Sequence, residues 1–402
     1  MLYVKRFFKF FLQRCDILST VGIIAEFNPL HTGHYYLINE AKKLGTVIAV
    51  ISGNFVQRGD IAIVEKRIRA AAALRSGADV VLELPVSYSL STAQNFALGG
   101  VSALYAAGCD TLMFGSERGD TAALLKAADA LSGDEYKSCL AENLATGMTF
   151  AAARERAAGL ENGILSGPNN NLAVEYILAA RSIGADFKFV TVKRVGQAHD
   201  SMEKGKFVSA SLLRQKMLCG ETDFYREYIP KEAKDLFVYE NFADIRRIET
   251  AVLSVLRLKT EKELKSLPDI SEGIENKLFS AIRLATSLDG LYNTVKVKRY
   301  THARIRRLAL SSFIGLDNSF FMKLPPYIRV LGFNKKGEEH LKKQMRSSFI
   351  PLVMRVSDIK NLSDEANRMF ADECRATDLY SLALPKALPC GGEYTAKIIK
   401  TE

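Results

Sequence analysis

The chain has 402 residues, 48% hydrophobic and 25% charged, with a formal net charge of +10 at pH 7. That length and hydrophobic content supply a substantial core, exclude wholesale disorder, and suggest two domains or one large domain with an appendage. The basic excess fits a polyanionic partner without conferring specificity, and six scattered cysteines with no CxxC pair read as buried or free thiols of a reducing cytosol.

Taken in order, residues 1–19 are basic and aromatic (Lys5, Arg6, Phe7, Phe8, Lys9, Phe10, Phe11). Charges interrupt the apolar run and no small-residue cleavage site follows, so a dispensable extension is preferred over a secretory signal or a membrane-surface helix. No stretch approaches the roughly 20 apolar residues of a membrane span.

Strand and helix patterns then alternate: Thr20–Ala25 a strand, His31–Leu44 a helix, Val47–Ser52 a strand, Ala62–Ser76 a helix, Asp79–Leu84 a buried strand. Ala93–Ala107 reads as a helix, and Cys109–Phe114 and Phe187–Lys193 as strands. Between the last two, Thr121 to Ala158 is helical, and a loop at Ser166-Gly-Pro-Asn-Asn-Asn171 precedes a helix through Arg181. Short apolar runs separated by helices predict a doubly wound, mainly parallel α/β sheet of the Rossmann-like kind, with ligands beyond the carboxyl ends of its strands. Beyond about Met217 the sequence becomes helix-forming, charged and leucine-rich, then ends in a small α/β tail: strand Ile328–Phe333, basic helix Lys335–Met345, strand Ile350–Val356. The expected division is an extension at 1–19, a nucleotide-binding catalytic domain at 20–219, and a basic helical and α/β region at 220–402.

The segment Gly22-Ile-Ile-Ala-Glu-Phe-Asn-Pro-Leu-His-Thr-Gly-His34 carries the most chemistry. A strand breaks at Asn28-Pro29 and a helix opens near His31, so His31 and His34 share one side of the first turn. Gly33 lets a ligand approach the backbone. A helix start with free N–H groups suits a phosphate chain, and two ring donors there can hold charge developing on a phosphoryl group. A zinc pair is the competing reading, but Glu26 is the only acidic neighbour and no cysteine is near, so no metal site is assigned.

Ser209-Ala-Ser-Leu-Leu-Arg214 is a second candidate phosphate site: Ser209 or Ser211 can cap a helix start and Arg214 can clamp phosphate oxygens. Lys193-Arg194 at a strand end precedes Ala198-His199-Asp200, and Asn169-Asn-Asn171 reads equally as a turn or as a reader of base edge or ribose. Val56-Gln-Arg-Gly-Asp60 is a tight polar turn. Arg58 in it, with Lys66, Arg67 and Arg69 on the next helix, forms a candidate RNA-facing group, although charged helix faces are usually just solvated. The run Lys296-Val-Lys-Arg-Tyr-Thr-His-Ala-Arg-Ile-Arg-Arg307 supplies a stronger one, with Lys298, Arg299, Arg304 and Arg307 for phosphates and Tyr300 for base stacking. Lys335, Lys336, Lys342, Lys343 and Arg346 form a second basic helix. Neither a P-loop nor a GxSxG elbow occurs, so P-loop kinase or GTPase chemistry and covalent acyl transfer lack support.

With these residues in view, the chain resembles the bacterial tRNA(Met) cytidine acetate ligase family of the nucleotidyltransferase superfamily. The resemblance spans roughly Val21 to the C-terminus and is densest at Val21–His34, Ser52–Asp60, Phe114–Glu117, Pro168–Asn170 with Arg194–Asp200, and Lys298–Thr301 with Arg304. It implies ATP binding by Ile24, Ala25, Glu26, Phe27, Asn28, Pro29, Leu30, His31, Thr32, Gly33, His34, Tyr35, Tyr36 and Leu37, completed by Gly115, Asn169 and Arg194. It further implies acetate activation to acetyl-adenylate and transfer of the acetyl group to N4 of the wobble cytidine of elongator tRNA(Met), in the cytoplasm. On that account His31 and His34 are catalytic, Mg²⁺ bridges the phosphates, and no obligate protein partner or membrane is involved. The looser Ser209–Arg214 turn departs from the family pattern and leaves the role of Arg214 open. Two competing readings are a small-molecule adenylyltransferase of coenzyme synthesis, which leaves the basic C-terminal half unexplained, and a non-enzymatic RNA-binding protein.

Overall fold

The computed structural model describes residues 19–160, 164–165, 167–193 and 208–402. The expectations for residues 1–18, Ser166, Arg194, His199 and Asp200 lie outside the described residues.

The strands are β1 (Ser19–Ala25), β2 (Gly45–Ser52), β3 (Phe55–Val56), β4 (Asp60–Ile61), β5 (Val80–Leu84), β6 (Thr111–Ser116), β7 (Lys188–Lys193), β8 (Ile328–Phe333), β9 (Leu352–Val353) and β10 (Ile399–Lys400). One large sheet runs in the order β10-β8-β5-β2-β1-β6-β7, with β9 beside β8, and a separate hairpin pairs β3 with β4. All its ladders are parallel except β5–β8. Parallel strands covered by helices on both faces are buried on both, which explains their uninterrupted apolar runs. Val21 and Ile23 of β1 and Val47, Ala49 and Ile51 of β2 enter one core, while Ile24, Ile48 and Val50 enter the other.

The helices used below are α1 (Thr32–Lys42), α2 (Lys66–Arg75), α3 (Ala93–Ala106), α4 (Pro168–Ser182), α5 (Ala210–Leu218), α6 (His302–Ile314), α7 (Lys335–Gln344) and α8 (Asp364–Ser381). A third core joins the helical region around residues 248–316 to Ala376, Tyr380 and Ala383 of the C-terminal part. From β1 the chain builds outward through β2 and β5, then returns to add β6 and β7 on the other side, so the switch point falls between β1 and β6. In such sheets the crevice at the switch point is the ligand site.

Three expectations are corrected. The α/β tail is not separate from the first sheet: β8 pairs antiparallel with β5, and β9 and β10 flank β8. The helix expected from Ala62 starts at Lys66, because Ala62 donates to the Asn54 carbonyl (2.9 Å) and Ile63 to Asn28 Oδ1 (2.8 Å), holding that stretch extended. Residues 168–171 are helical rather than loop, with Pro168 at the start of α4, where its missing N–H costs nothing. Among the described residues the five cysteines are free, and no helix is long and apolar enough to cross a membrane.

Candidate active site

β1 delivers the chain to Phe27 and Asn28, and α1 begins with His31 as its N-cap in extended conformation. His31 Nδ1 accepts from the Gly33 amide at 3.0 Å. A neutral imidazole that accepts at Nδ1 carries its proton on Nε2, which leaves that edge a donor. His31 and His34 stack with ring centroids 3.9 Å apart and planes 29° apart, and Phe27 meets the His34 ring edge-on at 5.1 Å. The two imidazoles therefore form one rigid plate at the positive end of α1.

Asn28 latches this turn to the rest of the site. Its side chain accepts from Ile63, and its carbonyl accepts from Arg214 Nη1 at 2.9 Å. Glu26 Oε1 accepts from the Gln57 amide at 2.9 Å, tying β1 to the β3–β4 turn. Burial pushes the Glu26 carboxyl upward, against that hydrogen bond and the nearby Arg214 and Arg58.

On the β6 side, Glu117 and α4 cap one another. Glu117 accepts from the Asn169 amide (3.1 Å), the Asn169 side chain (2.6 Å) and the Asn170 amide (2.7 Å), while Asn170 Oδ1 accepts from the Glu117 amide (3.0 Å). Partial burial works against ionisation of Glu117, but these hydrogen bonds prevail and hold its pKa below the ordinary carboxylate value. The asparagine run is thus both a cap and a cavity wall.

Ser209 is the N-cap of α5 and accepts from the Leu212 amide at 3.2 Å, and Arg214 Nη2 reaches Ser211 Oγ at 3.3 Å. The starts of α1 and α5 border one cavity of about 400 Å³. Its apolar wall is Phe96, Phe114, Leu172, Tyr176 and Val192; its polar wall includes His31, His34, Arg58, Asp60, Ser209, Ser211, Arg214 and Lys193. Ile24, Ala25, Glu26, Phe27, Asn28, Gly33, Tyr36, Leu37, Gly115 and Asn169 also line it. Pro29, Leu30, Thr32 and Tyr35 do not, and Leu30 is fully buried in the core. Sequence reading missed the apolar wall, whose only signal was Phe114 beside Gly115 at a strand end.

Several basic residues expected to meet RNA have other work. Lys66 is fully buried, paired with Glu83 and with Glu393 (2.5 Å), and lies 3.6 Å from Glu373. Arg69 is fully buried and donates to the carbonyls of Val64, Glu26, Ser52 and Gly53, stitching the ends of β1 and β2 together. Neither can touch a polyanion. Arg67 borders a separate cavity of about 220 Å³, away from the nucleotide-sized one. In the second basic run, Tyr300 is buried and donates to the Glu272 carbonyl (2.6 Å), so its ring is not a stacking platform. Arg304 holds Glu272 (3.0 Å) and the Asp269 carbonyl, and Arg307 holds Asp269 (2.8 Å). Those contacts pin the preceding loop to α6. Lys298 and Arg299 are exposed.

Among the described residues no group of three or more His, Cys, Asp or Glu is placed to hold a metal ion. The cavity carboxylates Glu26 and Asp60 are both pushed upward by burial.

A family model described as HIGH Nucleotidyl Transferase matches residues 18–392. A protein of Thermoanaerobacter sp. (strain X514) named tRNA(Met) cytidine acetate ligase is 37% identical over 401 residues, covering 95% of this chain and 100% of that one. A protein of the same name from Caldanaerobacter subterraneus is 38% identical over 392 residues, covering 91% of this chain and 96% of that one. The chain belongs to the tRNA(Met) cytidine acetate ligase family. The crystal structure of Thermotoga maritima TmcAL superposes with a TM-score of 0.89 at 32% identity, covering 95% of this chain and 99% of that one. The same protein bound with alpha-thio ATP superposes with a TM-score of 0.88 at 33% identity, over equal shares of both chains. In this ligase family member the mainly parallel sheet and the helix-rich C-terminal region are those of its structural relatives.

Proposed function

We propose that the chain activates acetate with ATP and acetylates N4 of the wobble cytidine of elongator tRNA(Met). One observation carries the reading: a stacked histidine pair and the starts of two helices line one nucleotide-sized cavity that also has an apolar wall. The apolar wall over β6 takes the adenine, and the starts of α1 and α5 take the phosphates.

In the first step an acetate oxygen forms a bond to the α-phosphorus, the bond to the bridging oxygen breaks, and pyrophosphate leaves with the electron pair. No protein nucleophile is needed, only charge neutralisation and alignment. The imidazole Nε2 edges and backbone amides would donate to the phosphate oxygens as charge builds there. Arg214, held to Asn28 and Ser211, would keep its fork beside the same oxygens, and Arg194 is assigned to the same triphosphate. In the second step the cytosine amine attacks the acetyl carbon, AMP leaves, and the amine loses a proton. Mg²⁺, when bound, would neutralise charge on the phosphates, with Glu26 and Asp60 the cavity carboxylates near enough to meet it. ATP and tRNA are cytoplasmic substrates, and the reaction asks for no protein partner. The exposed Lys298 and Arg299 are the proposed phosphate contacts of the tRNA backbone.

The test is incubation with ATP, labelled acetate and elongator tRNA(Met), followed by nucleoside analysis. Labelled N4-acetylcytidine is expected. Adenylate transfer to a small phosphorylated acceptor, with no acetate dependence, would favour the coenzyme adenylyltransferase instead.

A further inference from the structure

The helical region after residue 220 contributes one described residue to the nucleotide cavity, Arg306 of α6. Its neighbours Arg304 and Arg307 are consumed by Asp269 and Glu272, whereas Arg306 turns to the other face of the helix. There its guanidinium carbon lies 5.5 Å from the centre of the Tyr292 ring. Among the described residues no oxygen accepts a hydrogen bond from that guanidinium, although it lies near enough to Asp60 to oppose the upward push of burial on that carboxyl.

Packing fixes this placement. Gly59, at the tip of the β3–β4 turn, has φ of +74°. A side chain on it would sit 2.5 Å from Arg306 Cβ and 2.6 Å from the Arg307 amide nitrogen. Glycine thus lets the turn lie directly on α6, and Arg307 Nη1 reaches back to the Gln57 carbonyl at 3.4 Å. The stem of Arg306 is set against the turn that also carries Arg58 and Asp60.

The sheet order assigns these groups a sector of their own. The apolar wall lies over β6, the histidine turn over β1, and the β3–β4 turn over β2, on the far side of β1 from β6. With the base over β6 and the phosphates at the start of α1, the β2 sector is where a second substrate can approach the α-phosphate. With Arg214 assigned to the phosphates, Arg58 and Arg306 line this sector beside Glu26 and Asp60, whose ionisation burial opposes, which leaves positive charge for one small anion.

We propose that Arg306 holds the acetate carboxylate, its planar fork aligning one carboxylate oxygen for attack. This rests on the ligase reading above and extends it to the second substrate. The tRNA-facing half thereby completes the acetate subsite, and the bonds made and broken are those of the adenylation step.

The experiment is acetate-dependent ATP–pyrophosphate exchange by the full chain without tRNA, comparing wild type, Arg306→Ala and Arg306→Lys at matched folded fraction from thermal melts. Arg306→Ala should raise the acetate KM by roughly 30-fold or more, with the ATP KM within about 3-fold, as expected for loss of a directly paired charge. Arg306→Lys should recover only part of it, keeping the charge without the fork. An unchanged acetate KM, or an ATP KM rising in step with it, would each overturn the assignment while leaving the ligase reading intact. Absence of acetate-dependent exchange in the wild-type protein would overturn the ligase reading itself, and this assignment with it.

Discussion

The Lys66 cluster and the nucleotide cleft use the same kinds of side chain on the same sheet, in opposite states of balance. Around Lys66 each cation meets carboxylates: Glu83, Glu373 and Glu393 surround the ammonium, and Arg329 pairs with Glu393. Burial would strip the Lys66 proton, but those carboxylates hold its pKa above the ordinary lysine value, while burial and the adjacent Glu83 push Glu373 well up. In the cleft, guanidiniums outnumber carboxylates and helix starts aim further donors inward. Balanced charge makes scaffold; unbalanced charge waits for a ligand.

The comparison breaks most visibly at Lys66. Lys66→Ala leaves Arg329 alone to balance the buried Glu83 and Glu393 and should cost roughly 3–5 kcal/mol in urea unfolding. A loss under 1 kcal/mol would show the cluster to be wet. Next, His31→Ala or His34→Ala should lower acetate-dependent exchange at least ~100-fold, about 2.7 kcal/mol of barrier. A drop of only a few-fold would remove the histidine plate from the chemistry.

Acid sharpens the same contrast. Glu393 resists ionisation through burial, yet Lys66 and Arg329 overcome this and draw its pKa down from 4.5 to about 2. A group depressed in the fold stabilises fully above its unfolded value and loses that contribution as pH falls through the folded one. The melting temperature should therefore fall between pH 4.5 and 2, and Glu393→Gln should flatten that fall. Smaller still, Arg307→Ala should cost roughly 1–3 kcal/mol of stability by leaving Asp269 poorly paired, without changing the salt slope of tRNA binding. Lys298→Ala and Arg299→Ala should do the reverse, leaving the melt unchanged and reducing that slope by about 1 each. If Arg307→Ala moved the slope, the division between scaffold and RNA contact would fail.

The fold was legible where the cause is local. The run from Val21 to Ala25, the break at Asn28-Pro29 and the start of α1 all follow from neighbouring residues, as do the Ser209 cap and the buried strands. What escaped depends on partners far along the chain. Lys66 reads as a surface residue until Glu393 is folded onto it, and Arg304 reads as an RNA contact until Asp269 and Glu272 are in place. Arg306 cannot be told from Arg304 by composition. Only the close approach of Gly59 to α6 separates the one facing the cleft from the one facing the loop. The tail was misplaced for a similar reason, since antiparallel pairing of β8 with β5 leaves no trace in either strand's own pattern.

The reach of Glu393 back to Lys66 bears on how the protein is made. On the ribosome, Lys66 and Glu83 appear early, whereas Glu393, whose carboxylate completes the shell around the Lys66 ammonium, arrives much later. β5 gains its outer flanking strand when β8 is made, but the charge beside it stays unsettled until Glu393 follows. A product released before Glu393 would bury a cation with part of its shell missing, and proteolytic surveillance could tell it from the finished enzyme by instability alone.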